Sequence, residues 1–283
     1  MHRKRRTLWF LFGLLSPLSC ATLATPAERY ALAKTLAARQ HWHVKTVPSD
    51  TFSLTTYQPQ NPRSGPDLRV YIEGDGFAWV NRQQPSNDPT PLNPVGLRLA
   101  LQDPWSGPIA YVARPCQYQT KATLACKPMY WTHARFAPDV ISATHQVLDQ
   151  LKFNAGAQRL TLVGYSGGAA VAALLAAHRT DVQNLITVAG NLNHATWTQH
   201  HRISPLYSSL NPADAIDPLT RVHQWHFVGG QDRIMPAHLI RDFAQRFPAS
   251  QQPHILEQPD YTHHCCWADN WPQLIRQVPA PQP

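Results

Sequence analysis

Ser166 stands in the run Gly164-Tyr165-Ser166-Gly167-Gly168, a Gly-x-Ser-x-Gly spacing. The apolar run Leu160–Val163 before it reads as a strand, and the Ala- and Leu-rich run Ala169–His178 after it reads as a helix. A serine on so sharp a strand-to-helix turn takes strained backbone angles, and small residues two before and two after leave the turn room to close. Such a turn lifts the hydroxyl above the sheet edge. It also aims the free N–H groups and positive end of the following helix at any oxyanion that forms there. The chemistry on offer is nucleophilic attack on a carbonyl. A glycine-rich turn with a chance serine is the plainer alternative. A phosphate loop fits less well, because no Lys follows the glycines.

The strand, the elbow and the helix in this order resemble the α/β-hydrolase superfamily, over roughly residues 50–278. The resemblance implies an acid and then a histidine after the serine. The turn Gly229–Pro236 is similar to the family's G-x-x-D-x-x-x-P pattern and offers Asp232, which would orient a histidine and stabilise its imidazolium form. Asp232 could equally cap the helix that begins near Pro236. Asp217 and Asp214 are lesser candidates, since both precede the strand. In the loop Asp260–Trp267 two histidines compete. His263 is preferred, as the one at the loop tip, and His264 is the alternate. Glu73-Gly74-Asp75-Gly76 occupies the place of the family's His-Gly-x-Gly loop, with Glu73 where the histidine is usual. The N–H of Asp75 or Gly76, together with that of Gly167, would then make the oxyanion hole. The resemblance implies an acyl-enzyme route to carboxylic ester hydrolysis, with no metal and no organic cofactor. An acyltransferase using the same triad, or a catalytically silent envelope binding protein of this fold, are the alternatives.

These residues need a scaffold, and the patterning supplies one. Residues 26–40 read as an amphipathic helix, and His43–Val47 and Phe52–Tyr57 as an antiparallel pair of strands. From Leu68 onward strands and helices alternate. Strands are expected at Leu68–Ile72, Ile109–Ala113, Leu160–Val163, Leu185–Val188, Val222–Val228 and His254–Glu257. Helices are expected at Val95–Leu101, Phe136–Phe153, Ala169–His178, Ala237–Phe247 and Ala268–Val278. Alternation of this kind predicts a three-layer α/β fold, a mostly parallel central sheet with helices on both faces. Residues 114–135 read as irregular. Asn191–Pro218 breaks the alternation and reads as a small cap insertion. No linker or repeat divides residues 25–283, so one domain is expected. The insertion and residues 77–105 are expected to wall a pocket; Phe77, Trp79, Trp105, Trp197 and Tyr207 there offer aromatic surface for an apolar acyl group, and core positions fit some of them equally.

Composition sets the outer bounds. The chain has 283 residues, 43% hydrophobic and 15% charged, the profile of a folded globular protein. The formal charge of +8 includes the leader cations Arg3, Lys4, Arg5 and Arg6, and falls to +4 without those four. The remaining basic residues are scattered, which argues against a nucleic-acid partner. Those cations followed by the apolar run Leu8–Leu15 read as a secretion signal over residues 1–24. Leu18-Ser19-Cys20-Ala21 resembles a lipoprotein signal, in which lipidated Cys20 would anchor the protein to a membrane. Ordinary cleavage near Ala24 is the other outcome. Either makes the protein exported, periplasmic or an envelope lipoprotein. Four cysteines then remain, Cys116, Cys126, Cys265 and Cys266. In an oxidising compartment an even set reads as disulfides. Cys116 and Cys126 would close a small loop, leaving Cys265 and Cys266 as a vicinal bridge or two free thiols. No Cys/His spacing suits zinc. The expected partner is a small-molecule or lipid ester.

Overall fold

The computed structural model describes residues 23–119 and 124–279. The leader cations, the apolar run and Cys20 lie outside the described residues. Helix α1 (Pro26–Arg39) starts where Thr25 caps it. Thr25 Oγ1 accepts from Glu28 N, and Glu28 Oε2 accepts from Thr25 N at 2.7 Å, a reciprocal box that satisfies two otherwise orphaned donors. Strands β1 (Trp42–Pro48) and β2 (Ser53–Pro59) pair antiparallel, as their spacing predicts.

The rest of the sheet is built from β3 (Asp67–Ile72), β4 (Ile109–Val112), β5 (Arg159–Tyr165), β6 (Val182–Val188), β7 (His223–Gly229) and β8 (His254–Gln258). The order across the eight-stranded sheet is β1-β2-β4-β3-β5-β6-β7-β8. β2 runs antiparallel to β4, and every pairing from β4 to β8 is parallel.

Side-chain alternation along the strands divides the core in two. On one face Leu68, Val70, Ile72, Leu160 and Leu162 pack under α3 (Pro138–Ala155), α4 (Gly167–His178) and α7 (Ala237–Ala244). On the other, Tyr71, Val163 and Tyr165 pack under α1, α2 (Val95–Gln102) and α8 (Trp267–Leu274). Helices thus cover both faces, as the alternation in sequence predicts. Trp267 and Trp271 are fully buried there, and the indole N–H of Trp271 donates to the Tyr71 hydroxyl at 2.7 Å. Each buried indole contributes at most about 4–6 kcal/mol from its area.

Helix α4 is buried from Gly167 to Ala177, so it has no solvent face. That explains its run of Ala and Leu: a helix enclosed on every side is apolar on every side. The segment between β6 and β7 carries α5 (His194–His201) and α6 (Ile216–Leu219), where the sequence reads as an insertion. Between β4 and α3 only a single short 3-10 turn, Pro128–Trp131, is regular among the described residues. A Cys116–Cys126 disulfide closes part of that stretch. No described helix is long and apolar enough to cross a membrane.

Candidate active site

Parallel strands carry their loops to one edge, and three of those loops converge. Ser166 follows β5, Asp232 follows β7 and His263 follows β8. Ser166 has φ 51° and ψ −120°, a conformation costing about 1–3 kcal/mol for a residue with a side chain. The surroundings hold it there. Its N–H donates to Val188 O, and its carbonyl accepts from Ala169 N and Asn191 N. The flanking glycines are forced by the same turn. A Cβ on Gly164 would lie 2.4 Å from Ala169 Cα, and one on Gly168 would lie 2.3 Å from Ile72 O. Both obstacles are backbone, so the turn closes only with glycine at these positions.

The three side chains form one relay. Asp232 Oδ2 lies 2.8 Å from His263 Nδ1, and His263 Nε2 lies 3.0 Å from Ser166 Oγ. The Asp232 side chain is fully enclosed. Its other oxygen accepts from the N–H groups of Ile234 and Met235 at 2.8 and 2.7 Å. A carboxylate accepts only, so Nδ1 carries the proton and Nε2 of the neutral ring faces the serine hydroxyl as acceptor.

His263 is buried, whereas His264 is exposed. Of the two histidines in the loop, it is the preferred His263 that reaches the serine. Its carbonyl accepts from the Tyr165 hydroxyl and from the Trp267 indole, which pins the backbone under the elbow. His264 Nδ1 lies 3.0 Å from the Tyr165 hydroxyl, and it is His263 that is hydrogen-bonded to the serine. Asp214 and Asp217 are exposed and stand apart from the relay. Cys265 and Cys266 form a vicinal disulfide directly after the two histidines.

The loop after β3 faces the elbow. A Cβ on Gly74 would lie 3.3 Å from Ser166 Cβ, and Asp75 lies against Gly167. Gly76, at φ 67°, instead packs on Pro89 O and Gln117. Of the two oxyanion candidates on this loop, Asp75 is the one beside Gly167.

Glu73 takes no part in the relay. Its carboxylate accepts from the N–H groups of Gly74, Gly96 and Leu97 and from the Tyr111 hydroxyl. It thereby caps α2 from 22 or more residues away and ties that helix to the loop. Burial pushes its carboxyl up against the pull of those four bonds.

Asp75 has a different environment. Arg114 Nη1 and Arg135 Nη1 donate to its two oxygens at 3.0 and 2.6 Å. Burial alone would raise this carboxyl, but the two guanidiniums outweigh it and hold it below the usual range. Neither arginine stands out in the sequence, because they come from an irregular stretch with no periodic signal.

Of the five aromatics expected to wall a pocket, Trp105 does not. It lies under the Arg69 guanidinium at 4.7 Å, and its indole donates to Pro108 O, just before β4 begins, at the opposite edge of the sheet. Trp197 approaches the site, donating to Ile234 O and lying 5.9 Å from the Arg135 guanidinium. Phe77 lies under Arg29, while Trp79 and Tyr207 are exposed. Among the described residues, no group of three or more His, Cys, Asp or Glu could hold a metal ion.

In sequence the chain matches no family model and no curated protein. In structure it is similar to a serine hydrolase without a lid from Xanthomonas campestris, with TM-score 0.53 and 16% identity over 86% of this chain and 97% of that one. It is similar to Est1E from Butyrivibrio proteoclasticus, with TM-score 0.56 and 14% identity over 83% and 96% of the two chains. A Pyrococcus furiosus esterase, Pf2001, overlays with TM-score 0.56 and 13% identity over 85% and 90%. These overlays span nearly the whole of each neighbour, and the chain has the α/β-hydrolase fold.

Proposed function

We propose that the protein is an exported serine hydrolase that cleaves carboxylic esters through an acyl-enzyme. The observation that carries this reading is the Asp232–His263–Ser166 relay, hydrogen-bonded at both links. Ser166 gives its proton to His263 Nε2 as Oγ attacks the ester carbonyl. The N–H groups of Gly167, at the start of α4, and Asp75 receive the oxyanion. The protonated imidazole then gives its proton to the departing alkoxide, and the C–O bond breaks. Water, losing a proton to the same nitrogen, attacks the acyl group. The acid leaves and the serine regains its proton.

A polar cleft of about 330 Å³, lined by Leu92, Asn93, Val95, Arg98, His264, Ala268 and Asp269, lies next to the histidine loop, and none of Ser166, Asp232 and His263 lines it. Export is supported by the leader and by two disulfides, which persist in oxidising compartments.

A fluorophosphonate probe and a panel of p-nitrophenyl esters of rising chain length test the reading on purified protein. Labelling at Ser166 and ester turnover, both absent from Ser166→Ala, are expected. A wild-type protein that is neither labelled nor active on any ester overturns it. Efficient transfer of the acyl group to an added alcohol, in preference to water, assigns the acyltransferase role instead.

A further inference from the structure

An oxyanion hole built from two N–H groups works only if their segments hold register. Here the two belong to different parts of the chain, Asp75 to the loop after β3 and Gly167 to the first turn of α4. The Asp75 side chain lies flat on Gly167. A Cβ there would meet Asp75 Oδ1 at 2.1 Å and Cγ at 2.4 Å. The absence of a side chain at 167 is what admits the carboxylate.

Two arginines press that carboxylate home. Arg114 and Arg135 are 4% and 6% exposed, so neither is a solvated surface charge. Each is fixed at a second point. Arg114 Nη2 donates to Arg135 O, and Arg135 Nε donates to Thr132 O at 2.6 Å. Arg114 also lies over the Phe136 ring at 5.4 Å. Gln117 Nε2 donates to Gly74 O at 2.9 Å and steadies the same loop from the same side. One carboxylate between two guanidiniums leaves one positive charge in excess beside the hole. A buried positive charge there favours a transition state that gains a negative one.

We infer that the Asp75 side chain, clamped by Arg114 and Arg135, is a positioning residue that locks the loop after β3 onto the nucleophile elbow and so sets the oxyanion hole. This rests on the serine-hydrolase reading above. The carboxylate itself does not touch the reacting atoms. It acts through the N–H of its own residue and that of Gly167.

Two variants and two readouts test it. Asp75→Asn keeps the shape and removes the charge that holds the guanidiniums together. The double variant Asp75→Asn/Arg135→Met removes the clamp but keeps the net charge of the cluster at +1, so it remains informative if the single variant does not fold. Both are assayed for kcat and KM on p-nitrophenyl acetate, and for affinity toward a trifluoromethyl ketone, which forms a tetrahedral adduct on serine. The expected result in each folded variant is a loss of ~10²-fold in kcat, the scale of one oxyanion donor. Ketone affinity should fall by about the same factor while KM moves only about threefold or less. A folded Asp75→Asn that keeps wild-type kcat overturns the inference. So does a double variant that regains kcat, or a loss of turnover that leaves ketone affinity unchanged. Fluorophosphonate labelling separates the two levels: normal labelling in the variants overturns this inference alone, and no labelling of the wild type overturns the serine reading and this inference with it.

Discussion

Replacing Asp232 by Asn changes one atom of the relay and reverses the proton's place on His263. The carboxylate accepts at both oxygens, from His263 Nδ1 on one side and from the N–H groups of Ile234 and Met235 on the other. In Asp232→Asn the side-chain oxygen stays with the two backbone donors, and the NH₂ group turns toward Nδ1. The ring must then accept at Nδ1 and carry its proton at Nε2, pointing at Ser166 Oγ, where it cannot take the serine's proton. The expected loss is ~10⁴-fold in kcat/KM, or about 5–6 kcal/mol of transition-state stabilisation. Stability should fall by only about 1–2 kcal/mol, since both backbone donors keep their acceptor and just the second amide N–H is left without one. Asp232→Ala supplies the contrast. It leaves the buried N–H of Met235 and the part-buried N–H of Ile234 without their acceptor, adding up to about 1–3 kcal/mol each to the cost of folding, the larger part from Met235. Steady-state kinetics on p-nitrophenyl butyrate and calorimetric melting of both variants decide the matter. Retention of activity within about tenfold in Asp232→Asn refutes the tautomer argument. Equal melting temperatures for the two variants refute the account of the backbone donors.

Three further outcomes follow from the same geometry. His263→Ala should abolish turnover to the extent that Ser166→Ala does, ~10⁴-fold or more, whereas His264→Ala should keep substantial activity; the opposite ranking on any good ester moves the base to His264. Replacing Cys116 and Cys126 by Ser should lower stability by ~2–3 kcal/mol, read by denaturant titration of oxidised protein, since the bridge closes a ten-residue loop; an unchanged midpoint contradicts it. His226 is fully buried on β7, and burial drives its pKa down to about 3. The unfolded chain therefore binds a proton the folded chain refuses, so stability is full above about pH 6.5 and falls as pH drops toward 3, by ~1.4 kcal/mol per pH unit from this group. His226→Gln should flatten that part of the melting-temperature profile, and an unchanged slope assigns the acid lability to other groups.

The elbow was legible because its signal is local. Gly164 and Gly168 answer to atoms only a few residues away or on the adjacent strand, and the strand and helix that flank them carry their own periodicity. Asp232 was legible through the resemblance of the turn Gly229–Pro236 to the family's G-x-x-D-x-x-x-P pattern. What the sequence hides is long-range. Glu73 looks like a substitution in the loop, yet its partners Gly96 and Leu97 open a helix more than twenty residues on. Arg114 and Arg135 lie in a stretch without periodicity, and only the folded chain brings them to one carboxylate. Trp105 was misplaced because aromatic content near a site says nothing about which sheet edge a residue reaches. The burial of His263 depends on Tyr165 and Trp267, neither of which marks it in sequence.

Helix α4 has a consequence for the order in which the site matures. At 12 residues it is too short to be more than marginal as a helix alone in water, Ala-rich though it is, and its small side chains offer little area to any partial assembly. It becomes stable only when the sheet is beneath it and α3 lies alongside. Its first residue is also the one that follows the nucleophile. Ser166 therefore reaches its strained conformation late, once the layers have closed around the helix. Until then the chain carries a relaxed serine on a flexible turn, without a hole to receive an oxyanion. Nucleophilic reactivity is in this sense a report on completed packing. In refolding, labelling of Ser166 should trail the return of secondary structure and coincide with burial of the α4 core.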